Sequence, residues 1–194
     1  MTAGRVLRAD AARNHERIVV AAAAAFEELG GGVALEEVAR RAGVGVATLY
    51  RRFRNRDQLV RAVLEHVVAT EIRPATAVET DEPWRDLVVT LEALVGSMAT
   101  HRTVLALAHE AGAIDVDMVE SYLSRLDRLL RRALDAGVVR PELRARDLAA
   151  VVVMALATVH DKDSGGADRR RYLALLMDGL RPAPGVLPPP SDAR

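Results

Sequence analysis

Apolar side chains recur along this chain at spacings of three and four. No segment alternates apolar with polar residues over six positions between turn markers, so the pattern is helical throughout. A first helix is predicted from about residue 14 to 29, with Ile18, Ala22, Ala25, Phe26 and Leu29 on one stripe. Gly30, Gly31 and Gly32 end it, since glycine relieves the left-handed C-terminal position. Short helices over 35–42 and 46–53 follow, separated by Gly43, Val44 and Gly45. Asn55 is a good N-cap for a long helix from about Arg56 to at least Arg73, which Pro74 should kink or stop. Further helices are expected at about 83–99, 101–112, 116–136, 144–160 and 167–181. The fold class is therefore all-α, with about nine helices. From Pro182 onward there are five prolines in nine residues and no periodicity, which predicts a disordered tail.

Two of these helices carry unusual apolar surface. Leu148 to Val159 is apolar on every face, so it is either the centre of the core or shared with another subunit. The 167–181 helix places Tyr172, Leu173, Leu175, Leu176 and Leu180 behind the basic start Arg169, Arg170, Arg171. Together they offer more apolar surface than one small domain covers, which points to a homodimer through the helices near 147–160 and 167–181, a purely intramolecular core being the other reading. A charge at Val152 is then expected to yield monomers.

Composition narrows the class. With 194 residues, 50% hydrophobic and 28% charged, the chain suits one domain, or a small domain fused to a larger one, and is too apolar to be disordered. It has no cysteine, which excludes disulfide scaffolds and thiol chemistry and fits a reducing compartment. The uncharged stretch 148–160 is too short to cross a bilayer. The N-terminus, with Arg5, Arg8 and Asp10, has no long apolar region and is no secretory signal, so a soluble cytoplasmic protein is expected. Formal net charge is zero, but residues 1–60 hold ten Arg against seven Asp or Glu, a surplus of +3 offset by the remainder. Arg40, Arg41, Arg51, Arg52, Arg54 and Arg56 fall within 17 residues that contain no acid. A short basic segment on a neutral protein is the footprint of docking to phosphates at one place.

That segment also has helix-turn-helix spacing. Ala39 is the small residue needed where two short helices cross, and Gly43, four positions on, supplies a positive φ for the turn. Leu35, Val38, Ala42, Val44 and Leu49 are placed inward, with Tyr50 and Phe53 adding bulk beneath the second helix. Gly45, Val46, Ala47, Thr48, Arg51 and Arg52 remain outward. Small residues allow such a face to approach a major groove, while Thr48 and the arginines reach base edges or phosphates.

The run from Ile18 to Leu64, with Ala39 to Phe53 followed by Arg56, Asp57, Gln58 and Leu59, resembles the TetR family of transcriptional repressors, over about a quarter of the chain. The remainder, with Asp147-Leu148 and Tyr172 to Leu176, resembles the ligand-binding half of an actinobacterial-type branch. The resemblance implies an N-terminal arm and DNA-binding domain over 1–55, a ligand-binding and dimerisation domain over 56–181, and the tail over 182–194. It implies DNA contacts at Val46, Ala47, Thr48, Tyr50, Arg51 and Arg52, with Tyr50 giving its hydroxyl to a phosphate while its ring packs inward, and a phosphate contact at Arg56. The chain departs from the family where Ser or Thr often opens the first helix of the motif, since Val33, Ala34 and Leu35 stand there. In the N-terminal arm, Arg13 and Arg17 are expected at phosphates, and Arg5 and Arg8 either enter a minor groove or stay solvated.

The function implied is a ligand-responsive regulator, in all expectation a repressor. As a dimer it would read a palindromic operator, with recognition helices about 34 Å apart. An effector that moves the helix from Arg56 would change this separation and release the DNA. Candidate effector contacts are Trp84, Met98, His101, His109, Met118 and Tyr122, with Glu110 beside them. His101 and His109, eight apart, invite a metal reading, but a helix break near 100–103 and the lack of a third ligand argue for no metal. The chain has no P-loop, GxSxG, HExxH or dinucleotide fingerprint, so neither catalysis nor a cofactor is expected. An all-α ligand-binding or carrier protein without DNA binding is the alternative. The effector, the operator and the choice between repressor and activator are not written in the residues.

Overall fold

The computed structural model describes residues 3–77, 79–159 and 165–189, with side chains from residue 10 onward. Every regular element among them is helical. In chain order these are α1 Ala3–Leu29, α2 Leu35–Ala42, α3 Val46–Arg52 and α4 Arg56–Val67. There follow α5 Pro83–Thr100, α6 Arg102–Glu110, α7 Val116–Asp135, α8 Ala145–Ala157 and α9 Ala167–Asp178. The all-α expectation and its nine helices therefore hold among the described residues. Past Val67, α4 continues as a π turn over Val68–Ile72 and a last α turn over Arg73–Ala75. The Arg73 N–H bonds back five residues to the Val68 carbonyl. We attribute this widening to Pro74, which lacks an N–H and whose ring would strike the carbonyl four residues earlier.

The chain forms two compact units, one of residues 1–73 with 97–115 and one of 74–96 with 116–194. The α4 helix belongs to the first of these units, where it packs against α1 and α6. The core of the first unit is Ile18, Ala22, Ala25 and Phe26 of α1, Val38 and Ala39 of α2, Leu49 of α3, Phe53, and Leu59, Val63 and Leu64 of α4. Leu29 corrects the predicted stripe, since it lies in the last turn of α1 and is 52% exposed, whereas Val19 and Ala23 are buried. Asn55 caps α4 as expected, its Oδ1 accepting from the Gln58 N–H at 2.9 Å. Glu27 of α1 does the same for α6, accepting from the Thr103 and Val104 N–H groups at 3.1 and 2.9 Å.

In the second unit, Leu87, Leu91 and Leu94 of α5, Leu126, Leu129 and Leu130 of α7, Leu148, Val151 and Val152 of α8, and Leu173 and Met177 of α9 are buried. Asp86, only 2% exposed, accepts from the Thr80 N–H and hydroxyl at 2.7 Å each and from Arg132 at 2.8 Å. Burial alone would push this carboxyl up, but the Thr80 donors and the Arg132 guanidinium together hold it below the usual carboxylate value. The tail predicted from 182 is described as far as 189. Arg140 donates to the Gly185 carbonyl at 2.6 Å, and the Leu187 N–H donates to Glu142 at 3.0 Å. Its last five residues lie outside the described part.

Candidate nucleic-acid interface

The α2–α3 pair is built as its spacing predicts. Ala39 is fully buried at the crossing, and Gly43 stands at φ 63°, in the left-handed region. There the Gly43 and Val44 N–H groups close on the Arg40 and Ala39 carbonyls at 3.1 and 3.0 Å. The Gly43 carbonyl is taken by an Arg17 guanidinium from α1 at 3.2 Å. Ala34 gives α2 no side-chain cap, as expected from the missing Ser or Thr. In α3, Leu49 is fully buried, while Gly45, Val46, Ala47, Arg51 and Arg52 are exposed and Thr48 is half-buried. One helix side thus holds the fold, and the other presents small side chains followed by two guanidinium groups.

The basic segment is less bare than its sequence suggests. Glu37 accepts from Arg40 at 2.7 Å and from Arg41 at 3.0 Å, and Glu28 accepts from Arg41 at 2.5 Å. Hydrogen bonds from Arg40 and then Arg41 hold the Glu37 carboxyl at about 2. Arg56 is engaged within the fold. Its guanidinium donates to the Gly31 and Val33 carbonyls and lies 5.7 Å from the centre of the Phe26 ring, so it ties α4 to the α1–α2 loop and would have to leave these carbonyls to meet a phosphate. Of the six arginines, Arg51, Arg52 and Arg54 are exposed and form no ion pair among the described residues, whereas Arg40 is exposed but paired with Glu37.

Tyr50 corrects an expectation. Its ring is 43% exposed instead of packed inward, and its hydroxyl donates to Glu36 at 3.2 Å. Phe53, the other residue expected beneath α3, is buried. In the arm, Arg13 pairs with Asp10, one turn earlier on α1, and both are exposed. The Arg5 and Arg8 side chains lie outside the described ones. Arg52 has a partner no local pattern announced, since its Nε donates to His15 Nδ1 at 3.1 Å across 37 residues. The pairing of Glu37 with Arg40 and Arg41 was legible, because three- and four-residue spacing on a helix sets such side chains side by side.

The effector candidates divide between the units. Met98, His101 and His109 belong to the first, and Trp84, Met118 and Tyr122 to the second. His101 precedes α6 and meets Glu71 at 2.8 Å, while His109 lies exposed in the last turn of α6, so the two do not converge. Trp84 carries the Arg181 guanidinium 4.1 Å above its ring. Met98 and Met118 are half-buried. Tyr122 buries its hydroxyl without a hydrogen-bond partner among the described residues, and burial pushes that hydroxyl up to about 12.

Comparison with known proteins bears on this geometry. The profile of the bacterial regulatory proteins of the tetR family matches residues 18–63, and that of the C-terminal domain of SbtR-like transcriptional regulators matches 82–182. The chain belongs to the TetR family. Among solved structures, a TetR transcriptional regulator from Streptomyces coelicolor is 29% identical, with a TM-score of 0.69 over 87% of this chain and 98% of that one. A TetR regulatory protein from Mycobacterium vanbaalenii is 31% identical, with a TM-score of 0.67 over 90% and 99%. No curated protein gives a significant match. As a TetR-family protein the chain is a ligand-responsive, DNA-binding transcriptional regulator, from a family whose members are in general not enzymes. No helix among the described residues is long and apolar enough to cross a membrane.

Proposed function

We propose that this TetR-family protein represses transcription by seating two α3 helices in successive major grooves of a palindromic operator, and that a small molecule releases it. The observation that carries this reading is the outward face of α3, where Val46, Ala47, Thr48, Arg51 and Arg52 stand free of acidic partners while Leu49 anchors the helix from behind. Tyr50 joins this face by exchanging Glu36 for a phosphate, and Arg13 and Arg17 of α1 supply flanking phosphate contacts.

The second α3 comes from a twofold partner. On α8 the buried stripe is Leu148, Val151, Val152 and Ala155, and the exposed stripe is Ala150, Val153, Met154 and Ala157, each at spacings of three, four and seven. Val153 is 65% exposed, and Leu175 of α9, which packs against α8, is 63% exposed beside Tyr172. These apolar side chains fit a helical dimer interface. The sequence had assigned Val152 to this surface, but Val152 is buried within its own subunit. The domains implied for 1–55 and 56–181 then act as reader and as sensor with dimer contact. Arg56, by tying α4 to the loop at 31–33, is the point at which a shift of α4 reaches the reading helices. The effector contact with most support is Tyr122, whose buried neutral hydroxyl has one hydrogen bond to offer an acceptor on an apolar ligand.

The reading is tested by enriching duplexes from a random library with the protein and measuring affinity for the winners at several salt concentrations. A palindromic winner and a steep salt dependence are expected. Arg51→Ala or Arg52→Ala should weaken binding about 5- to 100-fold with no change in melting temperature. Failure to enrich any sequence, at any salt, rejects the reading.

A further inference from the structure

The contact between α1 and α3 at His15 has no structural need to be polar. The imidazole of His15 stacks on Phe53, ring centres 5.3 Å apart, and a phenyl group would fill that place as well. What an imidazole adds is an acceptor. Arg52 Nε donates to Nδ1 at 3.1 Å, and because a guanidinium only donates, Nδ1 carries no proton and the ring is the neutral tautomer with its hydrogen on Nε2. One edge of the Arg52 fork is thereby held, and both terminal nitrogens are left for DNA. An arginine held by Nε keeps its plane, which is the condition for a bidentate contact to a guanine edge or a phosphate.

We propose that His15 is a positioning residue for Arg52, setting the guanidinium that reads DNA and making sequence discrimination depend on pH. This rests on the DNA-reading role of α3 proposed above. The groups facing the ring are Arg52 on α3 and Glu65 and His66 on α4, while its own helix sets only Ala11, Ala12, Ile18 and Val19 one turn away. Burial, then the Arg52 charge, then His66 hold the imidazole below its usual 6.5, against the opposing pull of Glu65. The ring is therefore neutral, and an acceptor, at neutral pH. When acid protonates it, Nδ1 becomes a donor, the bond to Arg52 is lost and two like charges face each other. The new charge on His15 still attracts phosphate, so non-specific binding is maintained while discrimination falls. Acid thus lowers discrimination without lowering non-specific affinity, whereas a general loss of fold lowers both.

The test uses the full chain, a duplex enriched by the wild-type protein at pH 8, and a scrambled duplex of the same composition. The readout is the ratio of the two affinities between pH 8 and 5. For the wild type, this ratio should fall on acidification, with scrambled-duplex affinity unchanged or higher. His15→Phe, which retains the stack, should start with a ratio roughly 2- to 10-fold lower at pH 8, the cost of ordering one free side chain on binding, and show a flatter profile. His15→Asn, whose Oδ1 replaces Nδ1 as acceptor without titrating, should recover much of the ratio and hold it into acid. The ¹⁵N resonance of Arg52 Nε should shift on acidification in the wild type but not in His15→Asn. If His15→Phe matches the wild type in both ratio and pH profile, the inference is wrong, although α3 still reads DNA. If the wild type enriches no duplex at pH 8, the underlying DNA-reading proposal fails instead.

Discussion

Neighbouring residues of α8 should respond to the same substitution in opposite ways. Val153 is 65% exposed on the subunit and Val152 is 2% exposed, though both belong to one uncharged run. Glutamate at Val153 leaves an isolated subunit within about 0.5 kcal/mol of its original stability, as surface changes usually do. In a twofold dimer the same change enters the interface twice. Taking roughly 3 kcal/mol for each carboxylate buried without a partner, the dimer loses about 6 kcal/mol, or about 10⁴ in its dissociation constant. Glutamate at Val152 instead places that charge inside the subunit, where several kcal/mol is a large share of a typical total of about 5–15 kcal/mol. Sedimentation equilibrium with circular dichroism separates the two. Val153→Glu should be a folded monomer, helical and cooperative on melting. Val152→Glu should be unfolded or melt far earlier. A Val153→Glu protein that remains dimeric at micromolar concentration would show that the interface lies elsewhere, and a Val152→Glu protein that is a stable monomer would restore the sequence-based assignment.

Arg56→Ala should lower stability by about 1–3 kcal/mol through the two carbonyls it leaves unpaired, whereas Arg54→Ala, on the exposed surface, should cost less than about 0.5 kcal/mol. An unchanged melting temperature for Arg56→Ala, with a salt slope for DNA binding lower by about one, would return Arg56 to the phosphate role. Arg132→Ala should destabilise by roughly 2–3 kcal/mol, because Asp86 stays buried with only Thr80 as donor. The Asp86 carboxyl lies below its usual 3.8 in the folded chain, so its contribution is complete above pH 3.8 and is lost as pH falls through the folded value. The Arg132→Ala deficit, followed by denaturant melts from pH 7 to 3, should shrink only at the acid end, and a uniform deficit would contradict the assignment. Gly43→Ala should cost about 1–2 kcal/mol for its left-handed φ, and an equal or higher melting temperature would argue against that turn.

Much of this molecule is local, and the local part was legible. Helix periodicity, the Asn55 cap, the break at glycines 30 to 32 and the Ala39–Gly43 spacing are set by residues within a few positions of one another, and the structure places them close to where the pattern does, except that α1 begins at Ala3 instead of near residue 14. The outward face of α3 follows by the same logic, because a seven-residue helix anchored at Leu49 has little choice of which side remains outside. Charge did not follow. Six arginines free of acids within their own segment read as one basic patch; Glu37 takes Arg40 and Arg41 at local helix spacing, but Glu28 reaches Arg41 from α1 and two loop carbonyls occupy Arg56. Long flexible side chains reach partners that folding brings near, so their availability is decided in three dimensions. The same holds for Arg52, steadied from 37 residues away, for Tyr50, whose ring stays at the surface, and for the choice between Val152 and Val153. An apolar run states that every face of a helix avoids water, but only the packing of α8 against α7 and α9 determines which face the subunit itself covers.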